Sequence, residues 1–375
     1  MKASCIALVG LIFFGFTTAS NAEEVVVGAQ FPLSGPMASY SGPFLKSGAE
    51  IALKRIKQEQ FLGKDRTLKL LIEDNAGDRN QAISLMNRFA TADNALAVLG
   101  VYGSYLSLPV APVANELKTP LLAIAVSPAI AQAGPWSFTL LEQPKNSMEP
   151  LAALAADQLK VRKIAIVYDR ANDASVRLQG IFAELVKARG IEVVSTDGIT
   201  AQDTNFAPLA TKLSSETIDA LFVESVPSVL ANFIVQVRQA GLSPNVKLLG
   251  SGQASSPVFF DIAGKAAEGV YYTADYASDL ANSENRYLVD AYRKETGKEP
   301  DQNVAWAYAG LLLIAHAINN AGPGVDRVKV RDALAKLKNV ETALGNGSFS
   351  FDENRMPTYP DLVMHVVDGK PTVVK

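Results

Sequence analysis

The chain has 375 residues, 48% of them hydrophobic, with 26 glycines and 19 prolines, which is globular composition at a length sufficient for two domains. Its 35 basic and 38 acidic side chains give a net charge of −3, and an acidic balance without Lys/Arg clusters argues against nucleic acid as a partner. One cysteine and two histidines leave little material for disulfides or zinc sites.

The N-terminus has the pattern of a secretory signal peptide. Lys2 precedes an apolar run from Ile6 to Phe16, and the small residues of TTASNA follow it. We predict cleavage after Ala22, so that residues 1–22 are removed. The apolar run is shorter than the roughly 20 residues that span a bilayer. Cys5 precedes this run, whereas a lipidated cysteine would follow it, so we predict no lipid anchor.

A first series of strand-like and helix-like segments alternates from the mature N-terminus. Such alternation is typical of a parallel sheet with helices on both faces. The clearest helix is QAISLMNRFA, whose apolar residues recur at helical spacing. The predicted strands are residues 25–31, 67–73, 95–101 and 120–126.

A second series of the same kind implies a second lobe of similar α/β fold. The predicted strands are residues 163–169, 191–195, 218–224 and 246–250, with helices near 174–189, 206–214 and 229–240. Pro144 and Pro150 mark the break between the two series, and we predict a hinge near Glu142 and Gln143. Long helices follow, and the chain ends in a predicted hairpin around Asp368-Gly369.

Catalytic signatures are missing from the sequence. His316 lies in the apolar stretch LLLIAHAINN and His365 in a late strand, and neither accompanies a serine in a G-x-S-x-G turn. The mature chain has no cysteine nucleophile, no phosphate-binding G-x-x-x-x-G-K-[ST] loop and no metal-ligand spacing. We therefore predict a protein that is not an enzyme and that uses no cofactor or metal.

Carboxylates are the remaining polar candidates. Glu73, Asp74, Asp78 and Asp173 lie in loops and Glu224 ends a predicted strand. Acidic residues at such positions either cap helices or face a ligand, and the sequence leaves both roles open.

Four loops that follow strands carry small or hydroxylated residues. In an open α/β sheet, ligands bind beyond the carboxyl ends of the strands, where helices begin with unpaired N–H groups. Helix N-termini favour anionic groups, so these loops predict a site for a carboxylate. The loops are SGPMASYSG, VYGSYLSLP, VSPAIAQAG and VESVPS.

These segments, in this order, resemble the periplasmic solute-binding proteins of branched-chain amino acid ABC transporters, the leucine/isoleucine/valine-binding type. The resemblance is carried by VGAQFPLSGPMASYSGPFLKSGAEIAL, the start of IEDNAGDRNQAISLMNRF, VLGVYGSYLSLPVAPVANELKTPLLAIAVSPA, KIAIVYD, LLGSGQASSPVFFDIAGKAAEGVYYT and AYAGLLLIAHAI. It implies the type I periplasmic binding protein fold, in which two Rossmann-like lobes joined by a three-segment hinge close on a ligand.

The resemblance also implies the lobe boundaries, the compartment and the partners. Lobe 1 would comprise residues 23–142 plus 278–346, and lobe 2 residues 143–277 plus 347–375. The protein would be a periplasmic monomer that delivers a small solute to the permease and ATPase subunits of an ABC importer. The alternative is a receptor that presents its ligand to a sensor kinase or chemoreceptor.

Binding positions of the family can be placed on the first lobe. Ser104 matches the serine that hydrogen-bonds the ligand carboxylate. Ser127 and Ala129 match the loop whose backbone meets the ligand, and Ala131 stands where the family usually has threonine. Tyr40 matches a tyrosine of the first loop. The residues themselves further suggest that Tyr102, Tyr105 and Tyr276 line an apolar part of the site.

The second lobe departs from the family pattern. Asp173 and the alanine after it replace a usual Tyr-Gly, and Gly252 stands where amino-acid binders carry an acid that pairs with the ligand ammonium. An unpaired buried ammonium is costly. If Asp173 or Glu224, together with Ser225, completes the cleft, an amine-bearing solute such as an amino acid or amide fits. If both acids face solvent, an aromatic or short-chain carboxylate is favoured.

Overall fold

The computed structural model describes residues 22–374, so the predicted signal peptide, apart from Ala22, lies outside the described residues. The strands, in chain order, are β1 (Glu23–Phe31), β2 (Arg66–Asp74), β3 (Ala97–Tyr102), β4 (Leu121–Ile124), β5 (Ser137–Thr139), β6 (Lys163–Asp169), β7 (Glu192–Ile199), β8 (Ala220–Glu224), β9 (Lys247–Gly250), β10 (Val270–Ala274), β11 (Val340–Glu341), β12 (Ser348–Phe351), β13 (Pro357–Thr358), β14 (Leu362–Val367) and β15 (Lys370–Val373).

The helices pack on both sides of the sheets. They are α1 (Gly42–Gln58), α2 (Arg79–Thr91), α3 (Ser104–Glu116), α4 (Pro128–Gln132), α5 (Pro144–Asp157), α6 (Asp173–Ala188), α7 (Ala207–Ser215), α8 (Pro227–Gln239), α9 (Pro257–Ala263), α10 (Ser283–Thr296), α11 (Gln302–Asn320) and α12 (Arg327–Ala335), with short 3₁₀ turns at Gly252–Ser255 and Gly264–Ala267.

The first sheet has the order β2-β1-β3-β4-β5 and its strands are parallel. One face packs on α1 and α11, and the other face packs on α2 and α3. The apolar stretch at residues 304–318 is buried on nearly every side of α11, which explains why it has no polar face. The parallel order predicted from alternating segments is confirmed for this lobe.

The second sheet has the order β15-β14-β10-β9-β8-β6-β7. Strands β6 to β10 are parallel, whereas β14 and β15 pair antiparallel at one edge. The predicted hairpin around Asp368-Gly369 is confirmed, because Val367 pairs with Lys370. Two apolar cores flank this sheet, so each sheet is covered on both faces by its own helices.

Three connections join the two sheets, and we call them the hinge segments: residues 140–143, 275–282 and 359–361. The third segment lies later in the chain than the predicted boundary at residue 346. Phe349, Phe351 and Tyr359 pack in the core of the first sheet, because the alternating aromatics of β12 face that core. The assignment of residues 347–375 as a whole to lobe 2 therefore needs correction.

No helix within residues 22–374 combines the length and apolarity that crossing a membrane requires.

Candidate functional site

A cavity of about 260 Å³ lies between the two sheets, at the carboxyl ends of their parallel strands. This volume is near the lower end of the roughly 300–1,000 Å³ of small-molecule sites. Its walls come from both sheets and from all three hinge segments. Lining residues include Tyr102, Gly103, Ser104, Glu142, Glu224, Gly252, Asp275, Gln302, Trp306 and Asp361.

The first wall contains the N-terminus of α3. Gly103 precedes this helix with φ 84°, a left-handed conformation that glycine adopts without strain, and it allows the chain to turn directly from β3 into α3. No side chain caps the helix. The hydroxyl oxygen of Ser104, the first helical residue, is buried and lacks a hydrogen-bond partner. The N–H groups of this first turn and the Ser104 hydroxyl are therefore suited to bind an anionic oxygen.

Two aromatic rings form the apolar part of the same wall. Tyr102 and Trp306 stack with ring centroids 6.2 Å apart, and both line the cavity. The indole Nε1–H of Trp306 donates to Asp275 Oδ2 at 2.6 Å, which fixes the ring. Burial raises the pKa of Tyr102, so its hydroxyl stays protonated.

Glu224 dominates the opposite wall. It is the last residue of β8, its exposed fraction is 6%, and its Oε2 atom has no hydrogen-bond partner. Burial raises the pKa of Glu224 to about 7, with a smaller contribution from the charge of Asp169. Ser175 Oγ donates to the Glu224 carbonyl at 3.1 Å and so holds the end of the strand. A buried carboxylate with an open oxygen is suited to pair with a cation.

Gly252 lies beside Glu224 because their strands are neighbours. Val223 of β8 pairs with Gly250 of β9, which brings Glu224 level with Ser251. A Cβ atom on Gly252 would meet the Thr273 carbonyl oxygen at 3.5 Å, an ordinary contact. Gly252 therefore supplies no acid to the cavity, and Glu224 on the adjacent strand supplies one.

Each hinge segment contributes one acid to the cavity lining: Glu142, Asp275 and Asp361. Glu142 is 6% exposed and its carboxylate accepts hydrogen bonds from Asn146 Nδ2 at 2.7 Å and from Tyr359 N at 3.3 Å. The Tyr359 hydroxyl donates to Asp275 Oδ2 at 3.4 Å. Burial raises the pKa of all three acids. Tyr359 therefore ties the three hinge segments together.

The remaining predicted residues of the first lobe lie outside the cavity lining. Tyr40 is 41% exposed. Ser127 is buried, with no side-chain hydrogen bond to α4, and Ala129 is exposed within that helix. Ala131 is buried and its carbonyl accepts from Arg355 Nη2 at 2.6 Å. The cavity instead reaches this loop at residues 124–126.

Some of the predicted residues of the second lobe line the cavity and others do not. Asp173 is exposed at the start of α6, and the next residue, Ala174, lines the cavity. Ser225 is buried and its hydroxyl has no partner, but it does not line the cavity. Tyr105 is 58% exposed and Tyr276 is buried away from the lining. Four of the ten predicted site residues line the cavity: Tyr102, Ser104, Glu224 and Gly252.

The acids of the first lobe's loops have structural partners. Asp78 caps α2 by accepting from Gln81 N at 2.8 Å. Asp74 Oδ1 accepts from Leu33 N at 2.9 Å and Ala76 N at 2.7 Å. These contacts hold the first loop and do not reach the cavity.

The two histidines are packed against aromatic rings. His316 lies edge-on to Phe61 at 4.5 Å, and His365 stacks on Tyr271 at 4.0 Å. Neither lines the cavity. Within residues 22–374, no group of His, Cys, Asp and Glu side chains is arranged to hold a metal ion.

Sequence reasoning missed Asp275, Asp361 and Trp306 as lining residues. Asp275 directly follows the carboxyl end of β10, which is the position that the strand-end rule singles out. Asp361 precedes an antiparallel strand, and Trp306 lies in the first turns of the apolar α11. Only Asp275 therefore carried a signal that could have been used.

Comparison with known proteins identifies the family. Residues 24–370 match the family model described as periplasmic binding protein. The Leu/Ile/Val-binding protein homolog 3 of Brucella melitensis is 27% identical over 343 residues, which cover 90% of this chain and 89% of the relative.

Solved structures share the fold. The branched-chain amino acid transporter substrate-binding protein LivJ of Streptococcus pneumoniae, in complex with isoleucine, superposes with a TM-score of 0.81 at 23% identity, covering 94% of this chain and all of that chain. A solute-binding protein of an ABC transporter from Rhodopseudomonas palustris BisB5, in complex with 3,4-dihydroxybenzoic acid, gives a TM-score of 0.78 at 23% identity, covering 93% and 95%.

The family confirms three predictions: the type I fold, the periplasmic location that the family implies, and the class of binding protein as opposed to enzyme. The chain is similar to binding proteins of the branched-chain amino acid type, and it belongs to the periplasmic binding protein family.

Proposed function

We propose that this protein captures a small solute bearing a carboxylate and an amine, and delivers it to the permease and ATPase subunits of an ABC importer. One observation carries the proposal. Ser104 Oγ on one wall and Glu224 Oε2 on the other are buried, lack partners and line the same cavity. An unsatisfied buried polar atom costs about 1–3 kcal/mol, and a zwitterionic solute would satisfy both atoms.

The polarity of the two walls sets the orientation of the solute. The carboxylate lies at the N-terminus of α3, where helix dipole and N–H donors favour negative charge. The ammonium lies at Glu224, which replaces the acid that amino-acid binders carry at the position of Gly252. The sequence left two ligand classes open according to whether Asp173 or Glu224 faces the cleft, and the place of Glu224 in the lining favours the amine-bearing class.

Closure of the two lobes over the solute stabilises the bound form. The proposed lobes are residues 23–142 plus 278–361 and residues 143–277 plus 362–375, with the third boundary moved to the end of the last hinge segment. A ligand shifts the balance toward the closed form only through contacts that are better in that form. Contacts to both Ser104 and Glu224 meet this condition because Ser104 begins α3, which packs on the first sheet, and Glu224 ends β8 of the second sheet.

The relatives supply a second candidate ligand class. One structural neighbour binds isoleucine and another binds 3,4-dihydroxybenzoic acid, and both ligands carry a carboxylate. The stacked pair of Tyr102 and Trp306 would accept an aromatic ring. An aromatic acid, however, leaves Glu224 without a partner, so it is the second choice.

A thermal-shift screen tests the proposal. The purified mature protein is heated with each of the common amino acids, their amides and a set of aromatic acids. A ligand present at 100 times its dissociation constant stabilises the fold by roughly 2.7 kcal/mol. We expect stabilisation by an α-amino acid or amide. Stabilisation by aromatic acids alone would reject the amine, and no stabilisation by any solute would reject the proposal.

Gene deletion separates the transport role from the alternative role. Under the transport proposal, a strain that lacks the gene loses uptake of the solute found in the screen. Unchanged uptake, with loss of a transcriptional or chemotactic response to that solute, would favour presentation to a sensor kinase or chemoreceptor. N-terminal sequencing of the exported protein would test cleavage after Ala22 in the same strain.

A further inference from the structure

Two acids of the hinge segments lie directly opposite each other. Ala274 of β10 pairs antiparallel with Leu362 of β14, so the next residues outward are Asp275 and Asp361. In an antiparallel pair, residues at opposed positions have Cα atoms roughly 4.5–5.5 Å apart. Both side chains line the cavity. Like charges at such a position repel each other, so the arrangement needs a compensating group.

The protein itself satisfies this pair only in part. The Oδ1 atoms of Asp275 and Asp361 are both buried and have no hydrogen-bond partner. Trp306 Nε1 and the Tyr359 hydroxyl serve only Oδ2 of Asp275. Burial raises the pKa of both carboxyls, and the neighbouring charge of Asp275 raises that of Asp361 further. Two acceptor atoms therefore remain open at one place in the cavity.

The charged side chains that line the cavity are all acidic. Its lining contains Glu142, Glu224, Asp275 and Asp361, and among the described residues that line it there is no lysine, arginine or histidine. Glu142 has its own donors, so three acids retain open oxygens. The side chain of Glu224 is only 6% exposed. A carboxyl this deeply buried is separate evidence for a ligand that supplies positive charge.

We propose that Asp275 and Asp361 form a second cation subsite, so that the solute carries two cationic groups, one at Glu224 and one at the hinge. This inference rests on the proposed function and narrows its ligand to a basic amino acid, with a carboxylate at α3, an α-ammonium and a terminal ammonium or guanidinium. The metal alternative has no support, because the acids of the described residues are not arranged as a metal-ligand set.

The spacing of the two subsites matches such a solute. Strands β8 and β10 are separated only by β9, so their backbones are roughly 10 Å apart. The acidic side chains at both strand ends line the same cavity, and a solute with a flexible aliphatic stem of four carbons, as in lysine, could contact both. Trp306, fixed against Asp275, offers a ring face to the stem or to the terminal cation.

Titration calorimetry with matched solutes tests the inference. Lysine and norleucine share a four-carbon stem and differ in the terminal ammonium, and arginine and citrulline differ in the charge of the terminal group. We expect at least one charged member to bind tenfold or more tightly than its neutral partner. Asp361→Asn is expected to abolish this preference, so that the charged and the neutral partner bind with equal affinity.

Two controls distinguish the loss of the subsite from a folding defect and from an effect of net charge. Glu353→Gln removes an exposed charge from the chain just before the third hinge segment and is expected to preserve the preference. Asp275→Asn, measured with the neutral partner first, is expected to behave as Asp361→Asn does. If one of these two variants fails to fold, it also loses binding of the neutral partner. The other of the two then tests the subsite.

The possible outcomes distinguish failure of the second subsite from failure of the proposed function. Equal binding of charged and neutral partners, or a preference that survives both Asp275→Asn and Asp361→Asn, would overturn the second subsite and leave the proposed function standing. No binding of any amino acid or amide would overturn both.

Discussion

The two walls of the cavity differ in charge and in what they leave unsatisfied. The wall from the first sheet is uncharged: it offers the N-terminus of α3, the Ser104 hydroxyl and the rings of Tyr102 and Trp306. The wall from the second sheet and the hinge segments is acidic, with Glu224, Asp275 and Asp361 retaining open oxygens. The cavity is therefore polarised, and a solute with an anionic and a cationic end fits it in one orientation.

The unpartnered polar groups of both walls lower the stability of the empty protein. A buried hydroxyl and buried carboxyls without partners each destabilise the fold by about 1–3 kcal/mol, and ligand contacts recover that energy. Residues optimised for stability alone would not be left in this state. Substitutions on one wall at a time therefore separate the contributions of the two walls to binding and to stability.

The largest effect is expected from Glu224→Gln. Removing one partner of a buried charge pair costs about 3–5 kcal/mol, so we expect affinity for the amine-bearing solute to fall at least about 100-fold in titration calorimetry. Glu184→Gln, which changes an exposed acid of α6 in the same lobe, should leave affinity unchanged. A loss of less than fivefold for Glu224→Gln would show that the acidic wall does not hold the ammonium.

The same substitution should stabilise the empty protein at high pH. The folded-state pKa of Glu224 is about 7, above the roughly 4.3 of an unfolded chain. The folded state therefore binds more protons between these values, and stability falls as pH rises through them. We expect Glu224→Gln to raise the free energy of unfolding by about 3–4 kcal/mol at pH 8 and to give no gain at pH 4, measured by urea titration. An equal change at both pH values would contradict this.

On the opposite wall, Ser104→Ala is expected to weaken binding about tenfold. It removes one hydrogen bond to a carboxylate, which is worth about 1.5–3 kcal/mol, while the helix N–H groups remain. Ser107→Ala is the matched control on the same helix, because the Ser107 hydroxyl donates to the carbonyls of Val101 and Gly103. The control should lower stability and preserve affinity. If both variants bind alike, Ser104 does not contact the solute.

The smallest effect is expected from moving the acid between neighbouring strands. In the Glu224→Gln background, Gly252→Glu should recover about fivefold of the lost affinity, since a Cβ at residue 252 makes only ordinary contacts and residue 252 lines the cavity. Gly252→Gln in the same background supplies the same bulk without charge and should recover nothing. Equal recovery by both would mean that volume, not charge, governs this wall.

Much of the fold and half of the polarised site were accessible from the sequence. The alternation of segments identified β6 at the residues it occupies, Lys163–Asp169, and the short β5 was missed because three residues carry no periodic signal. The loop VYGSYLSLP was found because it follows a predicted strand and precedes a helix, and the family resemblance singled out Ser104 within it.

The acidic wall was harder to predict because its members are brought together by the hinge and not by one loop. Asp361 reaches the cavity only through antiparallel pairing of β14 with β10, which no local pattern specifies. Trp306 was hidden in a helix that is apolar on nearly every side. Ala129 and Ala131 lie outside the lining. Ala129 is exposed to solvent on α4, and the carbonyl of Ala131 accepts a hydrogen bond from Arg355.

One titration addresses the polarised cavity most directly: norleucine against hexanoate, which share a carboxylate and a stem and differ only in the α-amine, measured by calorimetry on the mature protein at pH 8. We predict that norleucine binds at least about 100-fold more tightly, because only its ammonium can pair with Glu224. Hexanoate binding as tightly as norleucine, or more tightly, would contradict it.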